Sequence, residues 1–366
     1  NGEVTDYPAE KFGKEIKVTF SLPPAGSMLF YVSTEKLKGY KRPIEAKDVN
    51  LVPSTSGLKV VRDNLNVLPI DFCDLQLAGK TLKDIHVSEA SQMVYKQNGF
   101  SYGDPWNHSV QYKSSITDRS EFDDKNGFIA TYRFNLDKKF DYSTIKAVVE
   151  RPELWSVSIN GRNIEPNAGE WWLDHSFGVF SIGSWLKKGE NILTIHCKPF
   201  KINAEIEPVY LLGDFSVVSA NKGWKITAPL TRMALGSWKE QGQPFYSWDV
   251  TYSQEYEVTK KASHYEVTLG KWNGTVAELF VNGKGAGTFA LPTDKIDVTR
   301  LITEGKNNIE VKITGSLKNL LGPHHNQPDP GMTGPEHWRS IKNYPAGKDY
   351  QLLDYGLTEN FYLYDN

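Results

Sequence analysis

One motif occurs twice in this chain, and the duplication limits what the chain can fold into. Trp155-Ser156-Val157-Ser158-Ile159-Asn160-Gly161 precedes Trp185-Leu186-Lys187-Lys188-Gly189-Glu190-Asn191-Ile192-Leu193. Later, Ala277-Glu278-Leu279-Phe280-Val281-Asn282-Gly283 precedes Leu301-Ile302-Thr303-Glu304-Gly305-Lys306-Asn307-Asn308-Ile309. Each copy reads as an alternating strand ending in an Asn-Gly turn, then a Gly-x-Asn turn feeding a second alternating strand. Asn-Gly is the preferred two-residue hairpin dipeptide because a type I′ turn requires positive φ at both positions. Gly-x-Asn is also a turn former, so Asn160, Gly161, Asn282 and Gly283 read as structural. The copies lie about 120 residues apart, well beyond the about 20–50 of solenoid and propeller repeats, so the repeated unit is a whole domain.

Flanking segments repeat in the same order. Residues 67–77, 128–136, 145–150, 155–159 and 191–197 alternate as strands, and Ile206-Glu207-Pro208-Val209-Tyr210-Leu211-Leu212 closes the first module. Residues 245–250, 252–258, 265–269, 277–281 and 308–313 match them in the second, which closes with 357–364. Helical periodicity is nearly absent. Many short alternating strands with Gly, Pro and Asn turns argue an antiparallel sandwich or jelly roll. The expected fold is therefore all-β, with two tandem antiparallel β-sandwiches at 61–222 and 223–366. They meet near 219–224, a polar stretch typical of a linker. Residues 15–22 and 28–33 read as a hairpin joined by Pro23-Pro24-Ala25-Gly26. A lone hairpin is marginal in water, so residues 1–60 are expected to finish an upstream β-domain. The chain begins at Asn1 rather than Met, as expected of a cleavage site or an artificial boundary with sequence missing upstream.

A net charge of −2, with acids and bases interspersed, leaves no electrostatic footprint for nucleic acid or an anionic membrane. No stretch approaches the roughly 18 apolar residues of a membrane span. Only Cys73 and Cys197 are present, which excludes a disulfide scaffold; one bridge or two buried thiols both fit. Tyr and Trp suit strands, and their apolar bodies with polar handles also suit ligands that alternate apolar and hydroxyl faces.

The richest segment runs from Leu321-Gly322-Pro323-His324-His325-Asn326-Gln327 to Pro335-Glu336-His337-Trp338-Arg339. Long loops on a rigid sandwich are where binding tends to sit. Two readings stand here: packing over the sandwich, or sugar contact with Trp338 as platform and His324, His325, Asn326 and Arg339 as hydroxyl partners. A metal site of His324, His325 and His337 is disfavoured, because adjacent His residues point to opposite sides of an extended chain. Asp104 and Trp106 in the first module are further sugar-contact candidates, as is Trp171 beside Trp172, where one ring is expected in the core and one outside. Glycoside hydrolysis generally needs two carboxylates. Glu170/Asp174 and Asp329/Glu336 are the available pairs, and the sequence assigns neither. No Gly-x-Ser-x-Gly elbow, Walker loop, dinucleotide fingerprint or His-Glu-x-x-His occurs.

The strand–Val-Asn-Gly and Leu-x-x-Gly-x-Asn-x-Ile pattern of 277–313, with a weaker version at 155–195, resembles the galactose-binding-like jelly rolls of family 2-type glycosidases. Together with Gly236-Ser237-Trp238, Gln241-Gly242, Phe245-Tyr246 and Leu320-Leu321-Gly322-Pro323-His324-His325, it resembles the C-terminal region of large bacterial α-L-rhamnosidase-type hydrolases. The resemblance covers about residues 60–366. In that family the catalytic carboxylates sit on an upstream (β/α)₈ barrel, and this chain shows no alternating βα units. The resemblance therefore implies a non-catalytic accessory region that supports an upstream catalytic domain of the same polypeptide. Carbohydrate contact would be a second role, and export to the periplasm or cell surface is implied. A stand-alone lectin and a glycosidase with its own carboxylates are the rivals. No cofactor is expected; relatives sometimes hold a structural Ca²⁺, but no oxygen-ligand cluster in the sequence assigns one.

Overall fold

A computed structural model describes residues 7, 9–20, 27–33, 49–108, 110–119, 122–137, 140–289, 294–325, 338 and 343–366. The chain divides into two compact units. One comprises Asn1–Val61, Val250–Thr314 and Leu357–Asn366, the other Arg62–Asp249 and Gly315–Gly356. The fold is nearly all β, built from antiparallel sheets arranged as β-sandwiches.

In the smaller unit, one sheet runs Lys284–Phe289, Val276–Val281, Gly305–Thr314, Asp249–Val258, Lys59–Arg62. The other runs Lys295–Asp297, Tyr265–Thr268, Tyr362–Asp365, Asn50–Val52. Burial alternates along Gly305–Thr314, with Asn307, Ile309, Val311 and Ile313 inward. That is the period-2 signature of a strand with one face on a core.

The larger unit pairs a five-stranded sheet with a broader one. The first runs Trp171–Trp172, Asp174–Ser181, Lys146–Glu150, Val209–Gly213, Asn66–Ile70. The second is centred on Phe128–Leu136 and Gly189–Cys197, which pair along their whole lengths. Phe72–Leu77 joins this sheet by pairing with Phe128–Leu136 on one side and Lys80–His86 on the other. The stretch 67–77 is thus two strands, and the chain crosses between the sheets at Asp71. Cys73 and Cys197 are both buried and free.

The two motif copies build the same bracket, atom for atom. Asn160 and Asn282 take φ of 50° and 52°, followed by Gly161 at 81° and Gly283 at 74°. Asn191 Nδ2 donates to the Lys187 and Gly189 carbonyls at 2.7 and 3.1 Å, and Asn307 Nδ2 donates to those of Thr303 and Gly305 at 2.7 and 3.0 Å. Asn160 Nδ2 reaches Asn191 Oδ1 at 2.9 Å, as Asn282 Nδ2 reaches Asn307 Oδ1 at 2.9 Å. Both Gly-x-Asn asparagines are fully enclosed. Replacing one strands buried backbone partners, so Asn191→Ala is expected to lower stability by about 1–3 kcal/mol, as is Asn307→Ala in the other unit. Urea melts would check this, and losses below about 0.5 kcal/mol, an ordinary surface effect, would show the bracket to be dispensable.

Four sequence expectations are corrected. Among the described residues, 15–20 and 28–33 do not pair: Glu15–Lys17 pairs with Glu10–Phe12, and residues 27–33 carry no strand. The proposed turn at 23–26 lies outside the described residues. The polar stretch 219–224 is a hairpin turn, because Ser219 faces Trp224 across paired strands. Residues 245–250 and 252–258 contribute a single strand, Asp249–Val258. Finally, helix Val87–Gln97 was not expected, although Val87, Ala90, Ser91, Val94 and Tyr95 are its buried residues and share one face at 3.6-residue period.

Candidate functional site

The site grows from Asp71, at the crossing between the sheets. Its side chain is nearly inaccessible, and its backbone carbonyl accepts the Val87 amide at 3.0 Å, which seats the start of the helix. The carboxylate gathers partners from the distant segment 315–356. His325 Nε2 donates to Oδ2 at 2.7 Å, and the Tyr350 hydroxyl donates to Oδ1 at 2.7 Å. His324 Nδ1 and His86 Nε2 stand 3.8 and 3.9 Å from Oδ2. Burial opposes ionisation of Asp71, but the neighbouring imidazoles of His324 and His325 hold it well below the usual carboxylate range.

His86 ends strand Lys80–His86 and caps helix Val87–Gln97. Its Nδ1 lies 2.8 Å from Ser88 Oγ and accepts the Ser88 amide at 3.3 Å. Burial lowers the His86 pKa to about 4, which the charge of Asp71 only partly offsets. Phe72 packs edge-on to His86 and His325 and stacks on Tyr344 at 4.1 Å, so apolar rings enclose the imidazoles.

The same helix organises a second group of acids. Ser91 Oγ donates to Asp104 Oδ2 at 3.4 Å, and Gln92 Oε1 accepts the Asp104 amide at 3.0 Å. Asp104 also accepts from the Trp106 amide at 2.9 Å and the Asn107 side chain at 3.1 Å, so this buried residue caps the short turn that follows it. Asp104 and Glu205 are close enough to couple electrostatically. Burial first, then the charge of Asp104, pushes the Glu205 pKa up to about 8. Glu207 is also pushed up to about 8, by confinement first and then by Glu150 and Asp104. Its side chain is exposed to the cavity that it lines, so solvent there moderates the rise.

That cavity measures about 1000 Å³ and lies within the larger unit. Asp71, Asp104, Glu150 and Glu207 supply acids, His86, His108, His324 and His325 imidazoles, and Tyr102 and Trp338 rings. Concave sites mixing apolar walls with a few convergent polar groups are the usual location of ligand binding, and perturbed carboxyls concentrate at such sites.

Of the residues singled out in the sequence, the structure brings Trp338, His324, His325 and Asp104 together on the cavity wall. Trp338 is 38% exposed and donates its indole N–H to the Leu321 carbonyl at 2.8 Å. Trp106 packs against the core and donates to the Ile202 carbonyl at 2.9 Å, so it is an anchor rather than a platform. Trp171 is 49% exposed and stacks on His175, while Trp172 packs on Tyr210, which is the expected split; neither lines the cavity. Asn326 and Arg339 lie outside the described residues, as do His337, Asp329 and Glu336. Glu170 is ion-paired with Lys146 and Asp174 is held by Ser176, so both are stabilised as anions, which counts against them as an acid–base pair. The backbone bends at His325, so both adjacent imidazoles turn toward Asp71, contrary to the extended-chain expectation.

Sequence reasoning missed Asp71, His86, Glu150, Glu205, Glu207 and Tyr350. Glu205-Ile206-Glu207 carried a signal, since alternate residues of an extended segment share a face. For Asp71 nothing local did.

No family model matches the chain. Over 94 residues it is 32% identical to a candidate beta-glucuronidase of Formosa agariphila, a match covering 24% of this chain and 8% of that protein. Among solved structures, a rhamnosidase from a Novosphingobium species aligns at 17% identity with a TM-score of 0.28, covering 67% of this chain and 23% of that one. A Lactobacillus rhamnosus beta-glucuronidase aligns at 12% identity with a TM-score of 0.25, covering 82% of this chain and 46% of that one. The chain therefore spans less than half the length of each of these relatives. Among the described residues, no helix is long and apolar enough to cross a membrane.

Proposed function

We propose that this chain is an accessory β-sandwich region of an exported carbohydrate-degrading glycoside hydrolase, and that the cavity of the larger unit is where it holds carbohydrate. The observation that carries this reading is the cavity lining: Trp338 and Tyr102 offer ring faces, and Asp104, Glu150, Glu207 and His108 offer hydrogen-bond partners to hydroxyls. The 94-residue match to a candidate beta-glucuronidase supports the same class. Support of an upstream catalytic domain is the other half of the role.

A second reading has one specific observation in its favour. Glu207, whose pKa is raised to about 8 first by burial and then by Glu150, fits a general acid of the kind that glycosidases use.

A glycan array and affinity gels, run beside aryl rhamnosides and glucuronides, separate the readings. Binding without turnover is expected, with Trp338→Ala weakening it by about 2–10-fold, the effect of one lost aromatic contact. Turnover abolished by Glu207→Gln would replace the accessory reading with the catalytic one. Absence of both binding and turnover would leave only mechanical support.

A further inference from the structure

We propose that Asp71, His86 and His325 bind one divalent transition-metal ion on the wall of the cavity, with His324 beside them. The donor atoms of the three residues all lie within 4.8 Å of one another. In a tetrahedral site with metal–ligand bonds of about 2.0–2.1 Å, neighbouring donors stand about 3.3–3.4 Å apart. The observed spacings from Asp71 Oδ2, 2.7 Å to His325 and 3.9 Å to His86, bracket that value. Side-chain shifts of about 0.6 Å bring each to it.

His325 Nε2, which donates to Asp71 Oδ2, would release that proton to solvent on binding, as ligation by imidazole requires. His324 Nε2 lies 2.9 Å from the Asn319 carbonyl, which can only accept, so Nε2 carries the hydrogen. His324 Nδ1 stands 3.8 Å from Asp71 Oδ2, close enough to lie beside a cation held there. His86 Nδ1, 2.8 Å from Ser88 Oγ, can donate there once Nε2 turns its lone pair to a metal. Binding therefore switches the His86 tautomer from the state in which Nδ1 accepts the Ser88 amide. Tyr350 fixes the other Asp71 oxygen, the outer support usual for ligating carboxylates.

Three protein ligands on a cavity wall leave a coordination position toward the open space, as in sites that act on a bound molecule. Two imidazoles and one carboxylate suit Zn²⁺, Co²⁺, Fe²⁺ or Mn²⁺ better than oxygen-seeking Ca²⁺ or Mg²⁺. The inference is independent of the carbohydrate reading.

The test uses the whole chain, stripped with chelator and titrated with Co²⁺ by calorimetry and visible absorption, followed by Zn²⁺ competition. One Co²⁺ per chain is expected, displaced by Zn²⁺ but not by Ca²⁺. Tyr350→Phe should weaken binding by about 10–100-fold, the usual loss for outer support, and His86→Ala or His325→Ala by more than that. No saturable Co²⁺ or Zn²⁺ uptake by the stripped wild-type chain would overturn the proposal. That measurement requires no variant to fold. Unchanged affinity in folded His86→Ala and His325→Ala variants would overturn it equally.

Discussion

Asp71→Ala, studied in chelator, is expected to destabilise the larger unit by about 3–5 kcal/mol, the range for removing one partner of a buried charged network. The carboxylate joins the crossing between two sheets to His325 and Tyr350, 254 and 279 residues further along the chain. Alanine leaves an imidazole N–H and a phenolic hydroxyl without acceptors in a site walled by Phe72 and Tyr344. Tyr350→Phe, which removes one donor and leaves the carboxylate paired with His325, should cost only about 1 kcal/mol. Native-state hydrogen exchange on peptides covering strands Asn66–Ile70 and Val209–Gly213 would isolate the larger unit. If Asp71→Ala cost no more than Tyr350→Phe, the residue would be a passive occupant of the crossing.

The second large effect is on pH. Glu205 and Glu207 have folded pKa values near 8, against 4.5 for the ordinary group. Between those values the folded chain holds protons that the unfolded chain releases, so raising pH favours unfolding. Stability from these groups is complete below pH 4.5 and is lost as pH rises toward 8. His86 has the opposite sign: its folded pKa of about 4 against 6.5 makes stability rise across that interval. The decline is therefore read most cleanly between pH 6.5 and 8. A fully enclosed group would contribute about 1.4 kcal/mol per pH unit. Glu205 is half-buried and Glu207 meets the cavity, so each contributes less. A double variant, Glu205→Gln with Glu207→Gln, should flatten urea-melt stability across this window. An unchanged slope would mean that these carboxyls are already ionised at neutral pH.

The strands around the two motifs were legible because their signals are local. Period-2 alternation along 128–136 and 308–313 marks one buried face, and Asn-Gly fixes a turn by its own backbone preference. Helix Val87–Gln97 was missed, because the apolar stripe of Val87, Ala90, Val94 and Tyr95 is short and lies among strands. Trp338, His324, His325 and Asp104 stood out in the sequence because aromatic and polar residues crowd their segments. Their common destination was not visible, since nothing near 321–325 indicates that the chain returns to the crossing at Asp71.

By itself, then, the sequence determined the β class, the duplicated bracket and its turns, because each depends on residues a few positions apart. Only the tertiary structure decided that residues 315–356 join the larger unit, and that three imidazoles and a tyrosine converge on one buried carboxylate. The same holds for Glu205 and Glu207, whose pKa values are raised first by burial and then by Asp104 and Glu150, which come from elsewhere in the chain. Charge coupling and burial depend on distances in space, and a lone Asp between two strands carries no local mark of the partners that will enclose it.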